Sequence, residues 1–197
     1  MSQARRWREL AARVSDCQQC PELANARRQV VVGEAPAGAR LALVGEAPGA
    51  QEDVAGRPFV GRAGQLLDLL LTDAGLVRDD ITVLNVVKCR PPGNRTPRRG
   101  EVDQCRPWLT GQLDVVAPEL VVALGLTAVT WFLGRRTSLA GARGTVHRVA
   151  VGERTVSVLA TYHPSAAIRF GPGGAPMAAL REDLALAAKM LGDGETR

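Results

Sequence analysis

Apolar residues in this chain fall into two rhythms. Leu41-Ala42-Leu43-Val44, Ile81-Thr82-Val83-Leu84-Asn85-Val86-Val87 and Glu119-Leu120-Val121-Val122-Ala123-Leu124 are short, nearly unbroken runs rich in β-branched residues, as strands buried on both faces require. Two shorter strands are expected around 145–151 and 155–160. Between them the spacing turns helical: an amphipathic helix over 3–15, a leucine helix through Gln65–Leu71 that stops at Gly75, a helix from Thr96-Pro97 to about Val116, one from Gly125-Leu126-Thr127 to near Gly134, and a last helix after Pro176. Residues 22–39 and the proline-rich 88–97 read as irregular. Strand–helix alternation of this kind predicts an α/β fold, a three-layer α/β/α sandwich around a mainly parallel sheet of four to five strands. No repeat or linker divides the chain, so residues 1–197 are read as a single domain.

The segment between the first strand and the leucine helix carries the densest chemistry. Gly45-Glu46-Ala47-Pro48-Gly49-Ala50-Gln51-Glu52-Asp53 runs on through Arg57-Pro58-Phe59-Val60-Gly61-Arg62-Ala63-Gly64. A strand end, a glycine-rich turn and a helix start present free backbone N–H groups to a ligand. The turn has neither the dinucleotide fingerprint nor a phosphate-loop ending, and its acids would repel phosphate. One aromatic ring, Phe59, beside carboxylates and amides suits a planar polar ligand such as a nucleobase.

Charge and cysteine content narrow the picture. The 197 residues are 46% apolar with a formal charge of +5, carried almost wholly by arginine. That permits a polyanionic partner without demanding one. Arg5-Arg6-Trp7-Arg8 leads into no apolar signal segment, and Leu120 to Leu133 is too short and broken to span a bilayer, so a cytoplasmic protein is expected. The cysteines are four: Cys17 and Cys20 as C-x2-C, with Cys89 and Cys105 far downstream. Spacing alone leaves open a 4Fe–4S cluster, a zinc site or unrelated buried thiols.

Five pieces together resemble one family: Gly45-Glu46-Ala47-Pro48-Gly49, Gly56 through Gly64, Asn85-Val86-Val87-Lys88-Cys89-Arg90-Pro91-Pro92, Asn94-Arg95-Thr96-Pro97 and His163-Pro164-Ser165. Their order, and the four cysteines among them, resemble the family 4, iron–sulfur uracil-DNA glycosylases over about Cys17 to Leu191. The resemblance implies a uracil-DNA glycosylase-like sandwich, and a 4Fe–4S cluster on Cys17, Cys20, Cys89 and Cys105 that ties the N-terminal arm to the 88–105 segment. The implied activity is that of a monofunctional, monomeric enzyme hydrolysing the N-glycosidic bond of uracil in single- or double-stranded DNA and leaving an abasic site. It acts on a nucleotide flipped into a pocket. Phe59 would stack on the base, Asn85 would pair with O4 and N3–H, and His163 would hydrogen-bond the O2 region as charge develops there. Ala47 and Gly49 stand where the best-known branch of the superfamily carries its water-activating aspartate and its pocket tyrosine, so the carboxylate work falls to Glu46, with Glu52 crowding the C5 position. Those two assignments are exchangeable at this stage. Pro48, Gly49, Arg62, Asn94, Ser165 and Arg169 are the implied DNA contacts. His147 is assigned no catalytic part. The rival readings are a non-catalytic iron–sulfur module for electron transfer or nucleic-acid binding, and a nucleotide enzyme on a Rossmann sheet.

Overall fold

The computed structural model describes residues 1–192. Its strands are β1 (Leu41–Gly45), β2 (Thr82–Asn85), β3 (Leu120–Leu124), β4 (Val146–Val151) and β5 (Arg154–Thr161), in the sheet order β2-β1-β3-β5-β4. The first three pairings along that order are parallel, and β4 joins β5 antiparallel as an edge hairpin. Every residue of β1, β2 and β3 is buried, which is why these segments read as continuous rather than alternating apolar runs.

Nine helices complete the described chain: α1 (Gln3–Ser15), α2 (Pro21–Ala26), α3 (Ala50–Ala55), α4 (Arg62–Asp73), α5 (Arg99–Val116), α6 (Leu126–Leu133), α7 (Leu139–Ala142), α8 (Pro164–Phe170) and α9 (Ala175–Gly192). Leucines of α5 and the aromatic end of α6 form a core with Val44, Val121 and Val158 on one face of the sheet. On the other face Leu67, Leu70 and Leu71 of α4 and Leu180 and Leu184 of α9 pack against Leu43, Val83 and Val122. Helix, sheet and helix are thus the three layers expected.

The sequence reading misplaces several boundaries, each for a local reason. The long helix starts at Arg99, not at Thr96-Pro97. The Glu101 carboxylate accepts the Arg98 N–H at 2.7 Å and both terminal amines of Arg95, so the cap forms two residues later, at Arg98, and Thr96-Pro97 stay outside the helix. Pro21 at the first helical position with Glu22 after it starts α2, which runs into the 22–39 stretch read as irregular. Within the glycine-rich turn, the Glu52 carboxylate accepts the Gly49 N–H and nucleates α3. Gly75, with φ of 75°, ends the leucine helix where expected.

The segment before β1 is not a free linker. Glu34 and Val83 exchange backbone hydrogen bonds, Val31 N–H donates to the Lys88 carbonyl, and Gln112 donates to the Val32 carbonyl at 2.8 Å. This covers the open edge of β2. The same segment is anchored to α3 by Asp53, which is 1% exposed and accepts the Arg28 N–H at 2.9 Å and the Gln29 N–H at 3.4 Å. Asp53→Ala should leave both amides without an acceptor and cost about 1–3 kcal/mol in urea unfolding, with Asp53→Asn losing less because one acceptor oxygen survives.

Candidate active site

Parallel register sets Gly45 beside Asn85, so β1 and β2 end side by side and their next residues turn outward together. His163 caps α8 just beyond the end of β5, itself paired to β3. At these strand ends lies a cavity of about 250 Å³ lined by Glu46, Ala47, Pro48, Gly49, Glu52, Phe59, Ala63, Asn85, Pro91, Asn94, Arg95, His163 and Ser165. That is below the roughly 300–1,000 Å³ of pockets for drug-sized ligands, and suits one small ring. Ten of the residues expected at the site line this single space. Arg62 and Arg169 do not: Arg62 is exposed at the first position of α4, and Arg169 is exposed in the last turn of α8.

Phe59 is 6% exposed and its ring lies 5.5 Å from that of His163, tilted by 31°. Its backbone sits at φ 53°, a left-handed conformation that costs a phenylalanine of order 1 kcal/mol or more and must be held from outside. Arg78 does part of that, donating to the Pro58 carbonyl at 2.8 Å and the Phe59 carbonyl at 3.4 Å. Two glycines do the rest by having no side chain. A Cβ on Gly64 would lie 1.7 Å from the Phe59 carbonyl oxygen, and one on Gly45 would lie 2.5 Å from the Phe59 ring and 2.6 Å from Asn85 Oδ1.

The two carboxylates, exchangeable in sequence, are distinct in space. Glu52 accepts the Val60 and Gly61 N–H groups on Oε1, at 2.9 and 2.8 Å, and the Gly49 N–H on Oε2, at 3.1 Å. It pins both flanks of the turn. Glu46 accepts one hydrogen bond, from the Thr127 hydroxyl at the start of α6, on Oε2. Its other oxygen has no donor among the described residues and is the acceptor available at the cavity wall. Thr127 carried no signal in the sequence beyond its place in Gly125-Leu126-Thr127 at a helix start.

Asn85 is 3% exposed, and its side-chain oxygen has no hydrogen-bond partner. A buried orphan acceptor of this kind costs about 1–3 kcal/mol unless something supplies a donor. Its backbone carbonyl is held by Lys88 Nζ at 2.7 Å. His163 Nδ1 faces the Ser165 hydroxyl at 2.8 Å and accepts the Ser165 N–H at 3.2 Å, which leaves the proton on Nε2. Burial pushes the His163 pKa down to about 4, against a smaller upward pull from Glu52. The ring is therefore a neutral N–H donor at physiological pH.

The four cysteines converge elsewhere, around one small cavity with Leu23, Arg27, Val87, Lys88 and Trp108. None is in a disulfide. Arg27 donates to Cys89 Sγ at 2.9 Å and the Trp108 indole N–H to Cys17 Sγ at 3.2 Å. Burial pushes the Cys105 thiol up to about 11 and raises Cys20 and Cys89 as well. Among the described residues no set of three or more His, Cys, Asp or Glu side chains is gathered as one metal ion would need. Arg95 was overlooked in the sequence although it stands inside a quoted motif. It bridges Glu101 and Glu22, so the cavity rim is welded to α2, next to Cys20. Arg98 also pairs with Glu22.

Residues 32–185 match the family model of the uracil DNA glycosylase superfamily. The chain is 44% identical over 161 residues to the type-4 uracil-DNA glycosylase of Thermotoga maritima, covering 81% of this chain and 82% of that one. Identity to the type-4 uracil-DNA glycosylase of Pyrobaculum aerophilum is also 44%, over 79% and 81% of the two chains. The type-5 uracil-DNA glycosylase of Mycobacterium tuberculosis is more distant, at 32% over 80% and 72%.

The His163 environment yields a sign. An unfolded chain takes up the proton near pH 6.5, whereas the folded ring refuses it until about 4, so this residue withdraws stability as pH falls between those values. In NMR titrations the His163 ring signals should stay at their neutral position from pH 8 to near 4; a midpoint at 6.5 would contradict the geometry.

Proposed function

The chain belongs to the uracil DNA glycosylase superfamily, and within it to the type-4 branch, and we infer from that membership and this cavity that it is a uracil-DNA glycosylase of base excision repair. It hydrolyses the N-glycosidic bond of uracil in DNA. The observation that carries the reading into this molecule is the orphaned Asn85 oxygen at the cavity wall, sharing that cavity with the His163 ring and with Phe59.

A flipped uracil would lie against Phe59, with its N3–H meeting Asn85 Oδ1 and its O4 meeting the Asn85 amide. Cytosine presents the reverse pattern there and would leave buried polar groups unpaired. His163 Nε2–H would donate to O2, where negative charge grows as the bond breaks. Because the imidazole is neutral, it stabilises that charge as a hydrogen-bond donor without delivering a proton. Glu46 is the better placed of the two acids to orient the attacking water, since Thr127 fixes one of its oxygens and leaves the other open. Glu52, with both oxygens on backbone amides, shapes the wall facing the C5 edge by holding the turn. Pro48, Gly49, Asn94 and Ser165 line the mouth, and exposed Arg62 and Arg169 are the candidate phosphate contacts. Lys88, one of two lysines in the chain, is 1% exposed and does not line the cavity, which supports a glycosylase without a Schiff-base lyase step.

The donor set around the second cavity fits a 4Fe–4S cluster on Cys17, Cys20, Cys89 and Cys105. Four thiols share one space, no disulfide competes, and sulfur atoms accept hydrogen bonds from a guanidinium and an indole, as thiolates do. Bound there, the cluster would supply a cross-link between the N-terminal arm and α5 rather than chemistry at the base. The rival reading, an iron–sulfur module without catalysis, leaves the Asn85 orphan unexplained.

Free uracil should appear when the purified protein meets a uracil-containing oligonucleotide; its absence would favour the rival. Within that reaction, His163→Ala should slow single-turnover excision by about 100- to 1,000-fold with little change in DNA affinity, since its donor matters chiefly in the transition state. Asn85→Asp should lose rate and uracil preference together, because a carboxylate cannot donate to O4. The protein should be brown with close to four irons per chain, and Cys89→Ala should lose iron and solubility together. Zinc without iron would reject the cluster.

A further inference from the structure

Lys88 is the largest fully buried side chain in the described structure, and it has no carboxylate partner. Among the described residues no Asp or Glu lies within ion-pair distance of its Nζ; the one hydrogen bond Nζ makes is to the Asn85 carbonyl, at 2.7 Å. An ammonium group taken out of water without a counter-charge is among the costlier features a fold can carry. Lys88 lines the same small cavity as Cys17, Cys20, Cys89 and Cys105. Lys88 therefore stands between two sets of atoms: the cysteine sulfurs on one side and, on the other, the last peptide of β2, from which Asn85 enters the uracil cavity.

We propose that Lys88 is a positioning residue that ties the sulfur site to base recognition: it shares the cysteine cavity, where the thiolates of a bound cluster would supply its counter-charge, and its Nζ fixes the Asn85 carbonyl and so the aim of the Asn85 amide. The proposal rests on the iron–sulfur reading above. The strand end needs such a hold. Asn85 is the terminal ladder residue of β2, paired only with Gly45, and beyond it Val86 and Val87 bond to the Gly45 and Glu46 carbonyls before the chain leaves the sheet. A one-peptide rotation there would carry the Asn85 side chain off the cavity wall. The lysine spans that gap because its stem lies in the core while its head group reaches back three residues.

The experiment compares wild type with Lys88→Met, which keeps the buried volume and removes the charge and the donor. Iron content and uracil excision of the wild type are measured first; wild type without iron would defeat the underlying cluster reading instead of this one. With iron present, Lys88→Met should keep its iron and its DNA affinity but lose about 10-fold or more in single-turnover excision of uracil. Its cluster should also be harder to reduce, with a more negative midpoint, because a cation beside the thiolates is gone. Wild-type excision rate and an unchanged midpoint in the iron-loaded variant would overturn the proposal. Should that variant fail to fold, lysine-selective 15N labelling of the wild type decides it, since only Lys88 and Lys189 contribute. One ammonium signal should exchange slowly with water and show paramagnetic shift or broadening; two fast-exchanging, unshifted signals would overturn the assignment.

Discussion

The register between β1 and β2 governs this molecule. Gly45 opposite Asn85 means that two parallel strands end at the same level, and everything chemical follows from what each chain does in its next step. One turns through Glu46 into a segment tied down by Glu52. The other runs past Lys88 and Cys89 to the sulfur site. A slip of one residue would send Asn85 into the opposite layer, because side chains alternate along a strand. The pairing is kept from slipping by complete burial of both strands and by residues 31–34, which close the open edge of β2.

Around that register the polar groups divide by what they hold. Glu52, Asp53, Arg78 and Arg95 spend their hydrogen-bonding capacity on backbone or on other charged side chains, and in doing so fix turns that have no regular structure of their own. Asn85, His163 and one oxygen of Glu46 keep capacity in reserve toward the cavity. The distinction is thermodynamic: the first set contributes to folding, while the second leaves part of its bonding to an incoming base. Phe59 belongs to both, since its ring is core on one side and cavity wall on the other, and its left-handed backbone is paid for by Gly45 and Gly64.

Much of this was legible before any coordinates. Buried parallel strands announce themselves as unbroken apolar runs, so the sheet and its helices were readable, and the motif residues converge on one cavity as the resemblance implies. Boundaries were less readable where a side chain overrides propensity. Thr96-Pro97 looks like a better helix start than Arg98, until the Glu101 carboxylate is seen to accept the Arg98 N–H. The roles of Glu46 and Glu52 were unreadable because both are acids in one turn, and only their partners separate them. Thr127 and Lys88 were silent for the same reason. Each acts through a contact made by tertiary folding across layers or around a strand end, and no local pattern encodes it.

The strand order has a consequence for the chain as it is made. β1 lies inside the sheet, between β2 and β3, and β5 takes its place beside β3 only after residue 154 has been added. Cys17 and Cys20 emerge from synthesis long before Cys89 and Cys105, so the arm that bears them has nothing to close upon for some seventy residues or more. Pairings of such long sequence separation make a slow, non-local folding problem. The nascent protein must therefore carry two unengaged thiols and a strand without its neighbours through a long stretch of its own synthesis, and its vulnerable moment comes then rather than in the finished fold.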